Sequence, residues 1–175
     1  EELLRASEHL LREWDAVAQR IRRIATGWEA ELTIAADAVI DTRTLLELCE
    51  AFYALGAPTR LRLRGETLSG TLEALLSGQA DLALGVTLDR SPGGDVRTEP
   101  LGEVAFWFVV APHHPLANAP EPLTPQLIRA HRIVAVADSA PRGGLTFGLL
   151  PGQDVLTVPT MSMKLDAQLR GLGCG

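Results

Sequence analysis

The stretch from Thr59 to Val86, TRLRLRGETLSGTLEALLSGQADLALGV, admits few folds. Leu61 and Leu63 alternate with Arg60, Arg62 and Arg64, the period-two pattern of a strand that is wet on one face. Glu66, Thr67, Ser69 and Gly70 are poor strand formers. Ser69 is placed to cap a helix whose Leu72, Leu75 and Leu76 recur at i, i+3 and i+4, and Gly78 stops it. Ala80 to Val86 is an apolar run of strand length. The unit reads strand, helix, strand, which predicts a right-handed βαβ crossover and a parallel sheet. Ligands gather where strands of such sheets end and helices begin, so Glu66, Thr67 and Ser69 are expected beside a cleft.

The totals narrow the class. With 175 residues and 46% hydrophobic content, the chain holds one domain or two small ones with an ample core. No run approaches the ~20 apolar residues of a membrane span, and the first residues are charged and helical rather than a signal peptide. Sixteen basic against 22 acidic residues give a net charge of −6, which argues against a nucleic-acid-binding surface on this segment itself. Cys49 and Cys174 are the only cysteines, so there is neither a disulfide framework nor a zinc signature, and a reduced cytoplasmic setting is expected.

Residues 1–27 form a separate unit. Leu3, Leu10, Val17 and Ile24 are spaced by seven, and Trp14 and Ile21 interleave with them into a seam broken only at Ser7. Five arginines balance five acidic residues around that stripe. The pattern predicts a dimerisation helix ended by Gly27, with a helix lying on its own domain as the other reading. Glu31 to Ala36 reads as a strand and Asp37 to Asp41 as a turn. Asp41 or Thr42 caps a helix from about Arg43 to Leu55, with Leu45, Leu48, Cys49 and Phe52 on one face. Thr87 to Gly94 is loop and marks a boundary, giving units 28–87 and 88–175. Beyond it, Val96–Leu101 and Val104–Ala111 read as strands, the second a buried one carrying Phe106, Trp107 and Phe108. Thr124-Pro125 opens a short helix, Ile133–Ala137 and Asp154–Val158 read as strands, and Thr160 or Ser162 caps a last helix that Gly171-Leu172-Gly173 terminates. The fold class is α/β throughout.

Catalytic patterns are scarce, and no catalytic residue, metal ligand or cofactor is assigned. There is no G-x-S-x-G elbow, no H-E-x-x-H and no Walker loop. GLGCG at residues 171–175 follows a helix instead of opening one, so it reads as a helix stop. His113 and His114 lack partners at ligand spacing and read as structural. Asp37 and Asp41 are explained by capping better than by acid–base chemistry. What remains are small polar residues at predicted strand-to-helix turns: Asp37; Glu66, Thr67 and Ser69; Ser139; Thr160 and Ser162. If two α/β units face each other, these turns line the gap, and free N–H groups at helix starts favour a small anionic ligand.

The LEALLSGQADLALGV run ending at Val86, the HHPLA of His113–Ala117 and the KLDAQLRGLGCG of Lys164–Gly175 together resemble the effector-binding region of LysR-type transcriptional regulators over essentially the whole chain. The resemblance implies two Rossmann-like subdomains of the type II periplasmic-binding-protein kind that close on a small-molecule inducer, preceded by the end of a linker helix. Residues Leu3, Leu10, Trp14, Val17, Ile21 and Ile24 would then pair two subunits into a dimer or tetramer. Effector contacts would fall on Ala36, Asp37 and Ala38, on Glu66, Thr67 and Ser69, on Ser139, and on Thr160 and Met161. DNA would be bound only through a winged helix-turn-helix ahead of residue 1. The family's chain also continues past the position of Gly175, completes the second subdomain and crosses back to the first, so a chain stopping there is expected to expose apolar sheet surface. Arg60, Arg62 and Arg64, with the helix of residues 43–55, are the expected second oligomer contact. The rival readings are a secreted solute-binding protein of a transport system, an enzyme working in the same cleft, and a stand-alone sensor module.

Overall fold

The computed structural model describes residues 7, 10, 11, 14, 17, 18, 21, 27–86, 96–141 and 146–175. Leu3 and Ile24 of the N-terminal seam and the whole 87–94 boundary loop lie outside the described residues. Leu10, Trp14, Val17 and Ile21 are helical and between 53% and 72% exposed, so the described residues leave this part of the apolar stripe uncovered.

The first sheet is parallel. Strand β1 (Glu31–Asp37) lies between β2 (Arg60–Glu66) and β3 (Leu82–Leu84), giving the order β2-β1-β3. Two helices connect these strands, α1 (Thr42–Ala54) and α2 (Ser69–Leu76). Asp41 caps α1, accepting from the backbone N–H of Arg43 and Thr44. After α2 the N–H groups of Gly78 and Gln79 return to the carbonyls of Leu75 and Ala74, a Schellman stop that Gly78 permits with its φ of +70°. Asp81 then fastens β3 to β1, its backbone N–H donating to the Thr33 carbonyl and its carboxylate accepting from the Thr33 N–H.

The second sheet pairs β4 (Ile133–Val136) with β5 (Val155–Val158), also in parallel. Between the sheets in sequence come a 3₁₀ turn at Pro115–Asn118 and a short helix α3 (Pro125–Arg129), capped by Thr124 with Pro125 in its first turn. Helix α4 (Met161–Leu169) follows β5; Thr160 caps it, and Gly171, at φ +73°, ends it through a second Schellman stop. The chain then runs back along β4. Cys174 bridges Ile133, and Gly175 exchanges two backbone hydrogen bonds with Val109, so the predicted helix stop also extends the sheet.

Each sheet has its own small-residue core. Ala35, Ala74 and Ala80 bury together between β1 and α2, and Val134, Val158 and Ala167 between the second sheet and α4. The buried face of α2 is Gly70, Thr71 and Ala74 rather than the expected leucines, and Leu76 is 55% exposed. Small side chains win that face because they let the helix approach the strands closely.

Three further expectations are corrected. Ser69 is not the cap of α2: the capping position is Leu68, which has no side-chain acceptor, and Ser69 is the first helical residue. No strand is assigned over 96–111, and the residues expected to be buried are open, with Phe106 and Trp107 at 74% and 80% exposure. Their composition favours a strand, but among the described residues the backbone pairing of this stretch is that of Val109 with Gly175, and burial needs a partner surface that none of the described residues supplies. Leu63, on the apolar face of β2, is 42% exposed because β2 is an edge strand and α1 contributes no buried residue.

Candidate functional site

A cleft of about 460 Å³ opens where the carboxyl ends of the two sheets meet. Its size falls in the range of small-molecule sites. Eight of the nine residues expected to contact an effector line it: Ala36, Asp37, Ala38, Glu66, Thr67, Ser139, Thr160 and Met161. Ser69 does not. Its hydroxyl is turned to Asp138 of the second sheet's turn, donating to Oδ2 at 2.6 Å. Thr42 and Ser162, at the starts of α1 and α4, complete the polar wall; Ile40, Leu45 and Leu63 add apolar surface.

The two sheets are stitched together at this cleft. Thr67 donates its hydroxyl hydrogen to the Ala137 carbonyl at 2.6 Å, and its N–H donates to Ser139 Oγ at 2.9 Å. Ser139 in turn donates to Glu66 Oε2 at 2.7 Å. A Cβ on Gly70 would run into Ser139 Oγ and fall 3.0 Å from the Ala140 nitrogen, so only glycine admits this approach. Leu68 sits at φ +55°, a conformation that costs a non-glycine residue about 1–3 kcal/mol, and it leaves both Thr67 and Ser69 facing the 137–140 turn.

The charged groups are few and engaged. Asp37 and Glu66 are register partners at the ends of β1 and β2. Asp37 is buried and accepts from the Val39 N–H and the Thr71 hydroxyl, which is also buried. Glu66 Oε1 accepts from both Nε and Nη2 of Arg64, at 3.0 and 2.7 Å. The N–H groups of Met161 and Ser162, in the first turn of α4, have no intrahelical acceptor. Among the described residues no group of three or more histidine, cysteine, aspartate or glutamate side chains is arranged to hold a metal ion.

His114, away from the cleft, plays a structural part. Its Nδ1 accepts from the Leu116 N–H at 3.1 Å and so caps the 3₁₀ turn, while its ring lies 5.0 Å from that of His131. Burial, reinforced by His131 and His113, lowers its pKa.

Sequence reasoning missed Arg64 and Asp138 at this site. The signal for Arg64 was the alternation of β2, which puts residues 64 and 66 on one side of the strand. Asp138 stood inside a turn recognised only as polar.

Residues 25–175 match the family model for the LysR substrate binding domain. The chain is 37% identical over 168 residues to the uncharacterized HTH-type transcriptional regulator YeeY of Escherichia coli K12, covering 95% of this chain and 53% of that protein. It is 34% identical to the probable HTH-type transcriptional regulator YhaJ of the same organism, over 98% of this chain and 57% of that one. The HTH-type transcriptional activator AllS of Klebsiella pneumoniae is 32% identical, over 97% and 66%. The chain thus spans about half to two thirds of the curated relatives it matches. Its fold is similar to the C-terminal domain of a probable LysR family transcriptional regulator from Rhodococcus sp. RHA1, with a TM-score of 0.59 at 21% identity over 82% of this chain and 71% of that one. With the family model matched over residues 25–175 of 175, the chain belongs to the LysR substrate-binding-domain family.

Proposed function

We propose that this chain is the effector-sensing part of a LysR-type DNA-binding transcriptional regulator, and that a small anionic metabolite occupies the cleft between the two sheets. The observation that carries the reading is the cleft itself: strand ends and helix starts from two separate parallel sheets converge on one open space. The N–H groups at the start of α4 favour an anion there.

In this reading each sheet is the centre of one Rossmann-like subdomain, the first built on residues 28–87 and the second on 88–175. The ligand binds their closed and open arrangements with different affinity, which is the condition for it to shift the equilibrium. The bonds of Thr67 and Ser139 across the cleft are where such a shift acts. The exposed stripe of Leu10, Trp14, Val17 and Ile21 suits a linker helix that pairs with a second copy, and edge strand β2 with α1 offers a second contact. DNA binding belongs to a helix-turn-helix segment like that in the names of the relatives, and the working compartment is the cytoplasm. A secreted solute-binding protein is not favoured, since the relatives are regulators.

The test is a thermal-shift screen of small metabolites on this chain and on Ala38→Trp. Ala38 is exposed, lines the cleft and makes none of the side-chain bonds between the sheets, so the variant fills the space and keeps the fold. A true effector at about 100 times its Kd stabilises the wild type by about 2.7 kcal/mol and leaves the variant unmoved. Equal shifts in both proteins would place the ligand elsewhere.

A further inference from the structure

We propose that Arg64 is the anchor for a carboxylate group of the ligand, with Glu66 as its positioning residue and built-in competitor; the proposal rests on the small-molecule reading of the cleft above. Among the described residues lining the cleft, Arg64 is the single cation. Glu66 occupies one edge of its guanidinium, taking Nε and Nη2 onto one oxygen. That engages two of five donors, and the others have no partner among the described residues. The side chain of Arg64 is 38% exposed against 9% for Glu66, so the open end of the pair is the arginine.

A guanidinium fixed along one edge and open along the rest presents a planar fork to an incoming carboxylate, which a lysine ammonium would not. The other Glu66 oxygen accepts from Ser139, so the group that orients Arg64 is itself held by the second sheet. A ligand drawing charge from Arg64 loosens Glu66, and Ser139 registers the change. Glu66 and its register partner Asp37 also repel the newcomer, which keeps the resting affinity low.

The experiment titrates acetate, succinate and benzoate, with acetamide, succinamide and benzamide as neutral controls, into the protein while following amide chemical shifts around residues 36–38 and 64–67. Carboxylates are expected to bind at least tenfold more tightly than the amides. Arg64→Met should lose at least tenfold in carboxylate affinity with the amides unchanged, Arg64→Lys should fall between, and Glu66→Gln should bind carboxylates several-fold more tightly. Arg64 lies on an edge strand and is partly exposed, so these variants are expected to keep the far-UV dichroism of the wild type. Arg64→Met binding carboxylates as the wild type does, or Glu66→Gln gaining nothing, overturns the assignment. So does the failure of every carboxylate to bind any form; a neutral metabolite that stabilises the wild type and spares Ala38→Trp would then leave the small-molecule reading standing without Arg64.

Discussion

Ser139 and Glu66, 73 residues apart in sequence, share a 2.7 Å hydrogen bond in which the serine hydroxyl of one sheet donates to the carboxylate of the other. The same hydroxyl oxygen accepts from the Thr67 N–H. One side chain therefore satisfies a donor and an acceptor across the cleft, and Glu66 is buried enough that the loss of a partner costs free energy.

Ser139→Ala is expected to lower stability by about 1–2 kcal/mol, because the buried carboxylate oxygen loses its donor. Urea denaturation measures the loss. Combined with Glu66→Gln, the two changes should be non-additive, since both act on one bond; strict additivity would show that the bond contributes nothing.

Gly70→Ala sets two effects against each other. Helix propensity alone favours alanine by about 1 kcal/mol inside α2. The added Cβ, however, would run into Ser139 Oγ and meet the Ala140 nitrogen at 3.0 Å. The Ser139 side chain must rotate away and give up its bonds, so we expect net destabilisation of about 1–3 kcal/mol. A rise in melting temperature would mean that the turn yields freely.

Acid should weaken the fold through His114. Its pKa is lowered from the ordinary 6.5 by burial first and then by His131 and His113, so the folded state holds it neutral. Between the unfolded and the folded pKa the unfolded chain binds more protons, and stability falls as the pH drops below about 6.5. His114→Asn keeps an acceptor for the Leu116 N–H and removes the titration. Denaturation midpoints from pH 7.5 to 5 should fall less steeply for this variant; identical slopes would remove His114 as the cause.

The Cys174 thiol should be inert in the native state. The residue is fully buried, its Sγ donates to the Arg132 carbonyl at 3.3 Å, and burial raises its pKa. A thiol reagent at pH 8 is expected to modify Cys174 only in denaturant, as peptide mass mapping would show. Rapid native labelling would mean that the C-terminal bridge to Ile133 opens readily.

The local chemistry of the chain was legible in its sequence. Thr124 caps the helix whose start it was read to mark, Asp41 and Thr160 cap theirs from the two residues read as alternatives at each, and Gly78 and Gly171 end α2 and α4 in left-handed turns. Turn positions were equally legible, and eight of nine expected site residues share one cleft because short polar residues gather where parallel strands give way to helices. Ser69 failed as a cap because the helix begins at it, with Leu68 in the capping position, and its hydroxyl donates to Asp138, a partner that no local pattern shows.

What the sequence by itself determined, then, was the α/β class and, outside residues 96–111, most of the strands and helices with the caps of α1, α3 and α4 and the glycine stops of α2 and α4, since periodicity, capping and glycine conformation act within a few residues. Tertiary structure alone decided that Ser139 bonds Glu66, that Gly70 must lack a side chain, that Arg64 is pinned along one edge, and that Phe106 and Trp107 stay exposed. Each of those depends on which surfaces distant in the chain come to face each other, and burial and pairing energies exist only once they do.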